Sequence, residues 1–202
     1  KRIKILLLTS LLFVGDFDVY SQQKQEPVNR ILFIFDASQS MLGRWQSGRK
    51  IDIARKLLYN MLDSLKTMDN LEIGLRVYGH QKSYPPQDCD DTRLEVDFGK
   101  SNDITERIKV KLKMIRARGT TPIAISLEKG AYDFPKTDNS RNIIILITDG
   151  IEECNMDPCS VSRLLQREGI VLKPFVIGVG LDETYKKTFD CVGTYYDASK
   201  EK

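Results

Sequence analysis

Three short clusters of oxygen-bearing residues could do chemistry in this chain. They are residues 36–40 (DASQS), residues 119–123 (GTTPI) and residues 148–150 (TDG). Their side chains include two carboxylates, two serine hydroxyls and threonine hydroxyls, without any sulfur or imidazole. Hard oxygen donors of this kind suit Mg²⁺ or a similar hard cation. The three clusters therefore predict a divalent-cation site.

The spacing and charge of the donors predict what such a cation would do. Asp36, Ser38 and Ser40 are separated by two positions each, which suits a loop wrapped around an ion. Only Asp36 and Asp149 carry formal negative charge, and hydroxyls are weak donors. The cation would keep strong Lewis acidity and would favour a further anionic ligand. A carboxylate from another protein could supply it.

Catalytic alternatives fit the same residues less well. Asp36 could be the nucleophile of a phosphatase, but a dehalogenase-type enzyme carries a second Asp two positions on, where this chain has Ser38. Ser38 or Ser40 would need a base, yet the chain has one histidine, His80, and no G-x-S-x-G motif. We therefore expect no catalytic residues and no enzyme. A metal-dependent hydrolase or phosphatase, or a scaffold with a vestigial metal site, stays the alternative.

Five segments have the patterns of β-strands. Residues 30–36 and 142–149 are continuous apolar runs, as expected for strands that are buried on both faces. Residues 171–180 form a third such run, although Pro174 weakens it. Residues 71–79 and 93–98 alternate in polarity and predict an antiparallel pair at the edge of the sheet.

Helical patterns lie between and after these strands, at residues 51–65, 103–115, 121–132, 157–169 and 183–192. In the third, Thr121 is predicted as the N-cap and Pro122 as the first helical residue. In the fourth, Asp157 and Pro158 repeat that signature. Strands alternating with helices predict an α/β fold with a parallel sheet. Because ligands bind at the carboxyl ends of such strands, the three polar clusters are expected to meet there.

The clusters also carry a family resemblance. The order D-x-S-x-S, then G-x-T-P-I, then T-D-G resembles the metal-ion-dependent adhesion site of von Willebrand factor type A domains. The resemblance covers residues 28–202. It implies that Ser38, Ser40 and Thr121 contact the metal directly. It implies that Asp36 and Asp149 act mainly through water molecules.

The resemblance also implies a fold and a function. The fold is a Rossmann-like, doubly wound, mostly parallel sheet with one antiparallel edge strand and helices on both faces. The function is binding of a protein ligand, whose Asp or Glu carboxylate completes the coordination of a bound Mg²⁺, Mn²⁺ or Ca²⁺. The family usually has a further helix after the position of residues 195–198, so that helix is in doubt here.

Further segments resemble a bacterial, exported branch of the family. They are residues 78–80 (YGH), 88–91 (DCDD), 149–154 (DGIEEC) and 157–159 (DPC). We therefore expect a periplasmic or extracellular protein.

The first residues independently predict export. A basic start, KRIK, precedes an apolar run at residues 5–14, which is the pattern of a secretory signal peptide. We expect a signal peptide at residues 1–21, a polar linker at 22–27 and the folded domain at 28–202. The apolar run is shorter than the ~20 residues of a membrane-spanning helix. No stable membrane span is expected after cleavage; an uncleaved N-terminal anchor is the alternative.

Length and composition set the outer limits. The chain has 202 residues, of which 41% are hydrophobic and 29% charged, as in an ordinary folded domain. This composition excludes a wholly disordered or collagen-like protein. The net charge of +3 is too small to indicate a nucleic-acid partner.

The four cysteines allow three complete disulfide pairings. Cys154 and Cys159 are five positions apart, and we favour a bridge between them. Alternatively, one of the two pairs with Cys89. Cys191 is expected to be a buried thiol, and four reduced cysteines remain possible.

Two residues near the predicted site are candidates for contacts with a partner. Trp45 follows the first polar cluster, where an aromatic side chain could anchor a binding surface. Packing over the first helix is an equally good interpretation of Trp45. His80 follows a strand and could contact a partner, although a hydrogen-bonded structural role is the more common one.

Overall fold

A computed structural model describes residues 26–181 and 183–198 of the chain. The expected signal peptide and residues 22–25 of the expected linker lie outside the described residues. Among the helices that are described, not one combines the length and the apolar character that crossing a membrane requires.

In the described part of the chain, six strands form the central sheet, in the order β5-β4-β1-β6-β7-β8. The β4–β5 pair is antiparallel, and every other neighbouring pair is parallel. A separate hairpin is formed by β2 (Arg44–Trp45) and β3 (Gly48–Arg49). The strands of the sheet are β1 Val28–Asp36, β4 Leu71–Tyr78, β5 Thr92–Lys100, β6 Ser140–Thr148, β7 Phe175–Gly178 and β8 Thr194–Asp197.

The helices cover both faces of this sheet, as the sequence predicts. Helices α1 and α2 pack on the side of Phe33 and Phe35. Helices α3 and α4 pack on the side of Leu32 and Ile34. Because β1 sends large apolar side chains to both faces, it is the buried centre of the fold. The helices are α1 Lys50–Leu65, α2 Ser101–Met114, α3 Ile123–Tyr132, α4 Pro158–Arg167 and α5 Glu183–Lys186.

The α/β fold with an antiparallel edge pair is confirmed. After α4, three elements differ from the prediction. The strand predicted at residues 171–180 begins only at Phe175. Pro174 has no backbone N–H to donate, and its carbonyl instead accepts from the backbone N–H of Thr194. Strand β8 was not predicted, because four residues are too few to show a period. The helix predicted at residues 183–192 is a single α-turn followed by a 3₁₀ turn at Lys187–Phe189.

The start of α4 agrees with the prediction, and the start of α3 does not. The Asp157 carboxylate accepts the backbone N–H groups of Cys159 and Ser160, so it caps α4. Helix α3 begins at Ile123 with Pro122 as its N-cap residue, not Thr121. An acidic side chain from a distant loop serves that end of α3 instead, because Glu152 Oε2 accepts the backbone N–H of Ala124 at 2.6 Å.

The disulfide pairing differs from the favoured one. Cys89 bonds to Cys154, and Cys159 bonds to Cys191, so the Cys154–Cys159 bridge and the buried Cys191 thiol are both wrong. The alternative pairing of Cys89 is confirmed for Cys154. The physical reason is topological: the β4–β5 loop and the loop after β6 end at the same edge of the sheet. Their Cα atoms at Cys89 and Cys154 lie 5.9 Å apart, within the range of a disulfide.

The Cys89–Cys154 bridge is expected to stabilise the domain. It joins positions 65 residues apart, so it restricts the unfolded chain strongly. The double substitution Cys89→Ser, Cys154→Ser is expected to lower the free energy of unfolding by about 3 kcal/mol, measured by urea denaturation without reductant. The Cys159→Ser, Cys191→Ser variant is the matched control, because it removes a bridge between positions that are closer in sequence. Unchanged stability in the first variant would contradict the pairing.

Candidate metal centre

The loop after β1 is fixed in place by its backbone. The amide of Ser38 donates to Asp36 Oδ1 at 2.7 Å, and the amide of Gln39 donates to the carbonyl of Gly119 at 2.8 Å. Gly79, at the end of β4, has a φ of +68° and packs closely against this loop. A Cβ at position 79 would lie 2.7 Å from the Ser38 nitrogen, so the contact requires glycine. The loop therefore has a defined conformation before any ligand binds.

The serines of the first cluster reach the aspartate of the third. Ser38 Oγ and Ser40 Oγ are 2.9 Å apart, and Ser40 Oγ donates to Asp149 Oδ1 at 2.7 Å. Ser40 and Asp149 are 109 positions apart in sequence. They meet because β1 and β6 are parallel neighbours whose carboxyl ends share one edge of the sheet.

Thr121 from the second cluster lies beside the same group. A Cβ placed on Gly150 would be 3.7 Å from Ser40 Oγ and 3.9 Å from Thr121 Oγ1. Thr121 is buried, and its backbone N–H donates to Glu153 Oε2 at 2.8 Å. The neighbouring Thr120 hydroxyl is already used, since it accepts the backbone N–H of Asp88. The structure thus brings all five predicted donors to one edge of the sheet.

Asp36 is completely buried. Its second oxygen, Oδ2, accepts a hydrogen bond from Thr148 Oγ1 at 2.7 Å, and the Tyr78 hydroxyl donates to Thr148 Oγ1 at 3.1 Å. Burial, and then the negative charge of Asp149, raise the pKa of Asp36 from 3.8 to about 6. Burial and the charge of Asp36 also raise the pKa of Tyr78 well above its ordinary value, so Tyr78 stays a neutral donor.

Three residues that contact the predicted donors were not themselves predicted from the sequence to act in the site. Thr148 and Tyr78 orient Asp36, and Lys50 Nζ forms an ion pair with Asp149 Oδ2 at 2.8 Å. Thr148 had a detectable signal, because it stands directly before Asp149 in a strand-end motif. Tyr78 stands in the YGH segment that carries part of the family resemblance, but that segment gave it no role beside Asp36. Lys50 had no signal, since a lysine at a helix start is a common feature.

The donor set fits a hard divalent cation of the Mg²⁺ class. Its oxygens come from two carboxylates and three hydroxyls, and sulfur and nitrogen are absent from the set. Within residues 26–181 and 183–198, no group of three or more His, Cys, Asp or Glu side chains is arranged to hold a metal ion. A site of this kind would rely on hydroxyl ligands, and the two buried aspartates would give a cation there a favourable charge environment.

His80 lies in the loop after β4, in a separate polar cluster with side chains of β5 and α2. Its Nε2 lies 2.7 Å from Glu95 Oε1, and Glu95 also pairs with Arg93 and Lys111. Burial alone would raise the pKa of Glu95, but the hydrogen bonds from His80, Lys111 and Arg93 outweigh it and lower that pKa. The other ring nitrogen, Nδ1, is 3.9 Å from Asp91 Oδ1. His80 is therefore nearly buried and engaged within the domain.

Trp45 lies on the short β2–β3 hairpin beside the end of β7. A Cβ on Gly180 would lie 2.7 Å from Trp45 Cγ, so the indole packs directly on this glycine. The ring is half-buried against the core on the α1 side of the sheet. A partner contact by Trp45 or by His80 remains a prediction.

The raised pKa of Asp36 predicts how the stability of the metal-free domain depends on pH. Between pH 4 and pH 6 the folded state holds a proton on Asp36 that the unfolded state does not hold. The stabilisation of the folded state by this proton is therefore present at low pH and is lost as the pH rises through about 6. With chelator present, lowering the pH from 7 to 4 should stabilise the wild type relative to Asp36→Asn by up to about 3 kcal/mol.

Both proteins contain the other titrating groups, including Glu95. When their free energies of unfolding in urea are compared at each pH, the contributions of those groups cancel. If the free energies of unfolding of the wild type and Asp36→Asn changed in parallel with pH, the pKa of Asp36 would not be raised by folding.

Comparison with known proteins gives a family and a fold. The sequence model of the von Willebrand factor type A domain matches residues 31–190. The uncharacterized protein YwmC of Bacillus subtilis (strain 168) is 27% identical over 217 aligned positions, covering 100% of this chain and 92% of YwmC.

Solved structures with low sequence identity share the fold. An aerotolerance-related membrane protein from Bacteroides fragilis has a TM-score of 0.61 at 20% identity, covering 76% of this chain and 69% of that one. The pilus adhesin SpaC from Lactobacillus rhamnosus GG has a TM-score of 0.69 at 18% identity, covering 89% of this chain and 29% of SpaC. With the family match over most of its length, the chain belongs to the von Willebrand factor type A domain family, whose members are in general protein-interaction and adhesion modules.

Proposed function

We propose that this chain is an exported protein-binding module that captures a carboxylate of its partner through a bound divalent cation, most simply Mg²⁺. The observation that carries the proposal is the hydrogen-bonded array Ser38–Ser40–Asp149, with Thr121 beside it. These side chains belong to three loops that the sheet brings to one edge. If these residues only capped turns, their oxygens would not have to converge from three separate loops.

Each residue has a separate part in the proposed capture. The hydroxyls of Ser38, Ser40 and Thr121 would hold the cation, and Asp36 and Asp149 would balance its charge. The bound cation supplies Lewis acidity toward an incoming carboxylate. Thr148 fixes the orientation of Asp36 by donating to its Oδ2 atom. Because the five donors themselves carry only two negative charges, a carboxylate of the partner's Asp or Glu is a favourable further ligand.

Apolar groups around the same edge could give the interaction its specificity. Leu42, Ile151 and Met156 are exposed in the loops that follow β1 and β6. Ile151 also lines a cavity of about 300 Å³, together with Tyr185 and Phe189. An apolar side chain next to the partner's carboxylate could be buried there. Trp45 lies on the neighbouring hairpin.

Export is supported by three independent features. Residues 1–21 have the composition of a signal peptide. All four cysteines are in disulfides, which persist in oxidising compartments. The structural relatives include a protein described as a membrane protein and a pilus adhesin.

We propose no catalytic role. A hydrolase using the same cation would need a base or an acid poised at it, and His80 is bound to Glu95 in another cluster. A scaffold with a vestigial site would bind its partner without any metal.

Loss of one bridging hydroxyl should weaken cation binding. Ser40→Ala removes the group that joins Ser38 to Asp149, and we expect at least a tenfold rise in the Kd for Mg²⁺ by isothermal titration calorimetry. Ser64→Ala is the matched control, because Ser64 is exposed on α1, where its hydroxyl bonds to the carbonyl of Asn60 in the preceding turn. Equal Mg²⁺ affinity in the two variants and the wild type would contradict the assignment of Ser40.

Partner capture should depend on the cation. Immobilised wild-type protein, incubated with an envelope extract of the host, is expected to retain a protein in Mg²⁺ and to release it in EDTA. Ser40→Ala should fail to retain it, and Ser64→Ala should retain it. A partner that is held equally well in EDTA would favour the scaffold. Mg²⁺-dependent turnover of generic phosphate or ester substrates by the wild type, lost in Ser40→Ala, would favour the hydrolase.

A further inference from the structure

Lys50 occupies an unusual position for a lysine. It is the first residue of α1, and its backbone N–H donates to the carbonyl of Gly43. The positive end of the helix dipole disfavours a cation at this place. Its side chain is nevertheless only 19% exposed, and its Nζ lies 2.8 Å from Asp149 Oδ2. The pairing with Asp149 is therefore what stabilises Lys50 here.

The negative charges around Asp149 require a positive charge beside this carboxylate. The Asp149 side chain is fully buried, and its negative charge acts on the buried Asp36. Two buried carboxylates in proximity are costly unless a positive charge balances them. Glu153, which accepts the backbone N–H of Thr121, adds a third acidic group near the site. Lys50 is the cationic side chain in hydrogen-bond contact with Asp149 in the described structure.

The ammonium group and the proposed metal compete for the same carboxylate. Asp149 uses Oδ1 to accept from Ser40 and Oδ2 to accept from Lys50, so both of its oxygens are engaged. A divalent cation held by Ser38 and Ser40, and balanced by Asp149, would repel a positive charge 2.8 Å from that carboxylate. Lysine can leave, because its stem is flexible and already reaches solvent.

We infer that Lys50 is a built-in competitor of the divalent cation, whose ammonium group balances the charge of Asp149 in the metal-free domain and is displaced into solvent when the cation binds. This inference rests on the proposed function. Its consequence is a site that tolerates the loss of its metal without unfolding, at the expense of metal affinity. Lys50 thereby sets the cation concentration at which the module becomes competent to bind a partner.

Replacement of Lys50 by a neutral side chain of similar length tests the inference. Lys50→Met should bind Mg²⁺ at least tenfold more tightly than the wild type by isothermal titration calorimetry. In EDTA it should melt at a lower temperature, and saturating Mg²⁺ should raise its melting temperature by more than it does for the wild type. Lys113→Met, on the exposed surface of α2, is the control for the loss of one positive charge. Lys50→Arg should resemble the wild type.

A labelling experiment reports the displacement itself. Brief acetylation followed by peptide mass spectrometry should show greater modification of Lys50 in Mg²⁺ than in EDTA. The modification of Lys113 should be equal in the two conditions.

The outcomes separate this inference from the proposed function. Mg²⁺ binding by the wild type with equal or weaker binding by Lys50→Met would overturn the inference and leave the metal site intact. A purely structural ion pair would lower the melting temperature of Lys50→Met by the same amount with and without Mg²⁺, which would also overturn it. Failure of both the wild type and Lys50→Met to bind Mg²⁺ would overturn the proposed function and the inference together.

Discussion

Two carboxylates that are buried at one edge of a parallel sheet govern the chemistry of this domain. Asp36 ends β1 and Asp149 directly follows β6, so the adjacency of these two central strands places like charges close together. Burying two like charges together costs free energy, and hydrogen bonds from Ser38 N–H, Thr148 and Ser40 offset part of that cost. The rest of the site, including the Lys50 ion pair and the hydroxyl array, can be understood as compensation of this charge.

The loops that carry the donors are held by contacts that cross long sequence distances. Glu152 accepts the N–H of Ala124 and Glu153 accepts the N–H of Thr121, so the loop after β6 supports the start of α3. The Cys89–Cys154 disulfide fastens the same loop to the β4–β5 connection. A site that is ordered before binding loses little conformational entropy when a ligand arrives. Preorganised hydroxyls can thus serve as ligands although each is individually weak.

The sequence predicts the parts of this arrangement that depend on one segment at a time. The apolar runs that became β1 and β6 are readable because both faces of each strand are buried, and the polar clusters follow directly from their ends. The helix cap at Asp157 is equally local. The disulfide pairs, the support of α3 by Glu152 and the Lys50–Asp149 pair depend on which loops meet in space. A single sequence carries no signal for those contacts.

Diffraction from crystals grown with Mn²⁺ is the most direct test for a cation at this site, because the anomalous signal of the metal locates it without reference to affinity. We expect one strong anomalous peak about 2–2.5 Å from the hydroxyl oxygens of Ser38, Ser40 and Thr121, with Lys50 turned away from Asp149. A fully ordered site without a peak, still closed by the Lys50–Asp149 ion pair at saturating Mn²⁺, would contradict it.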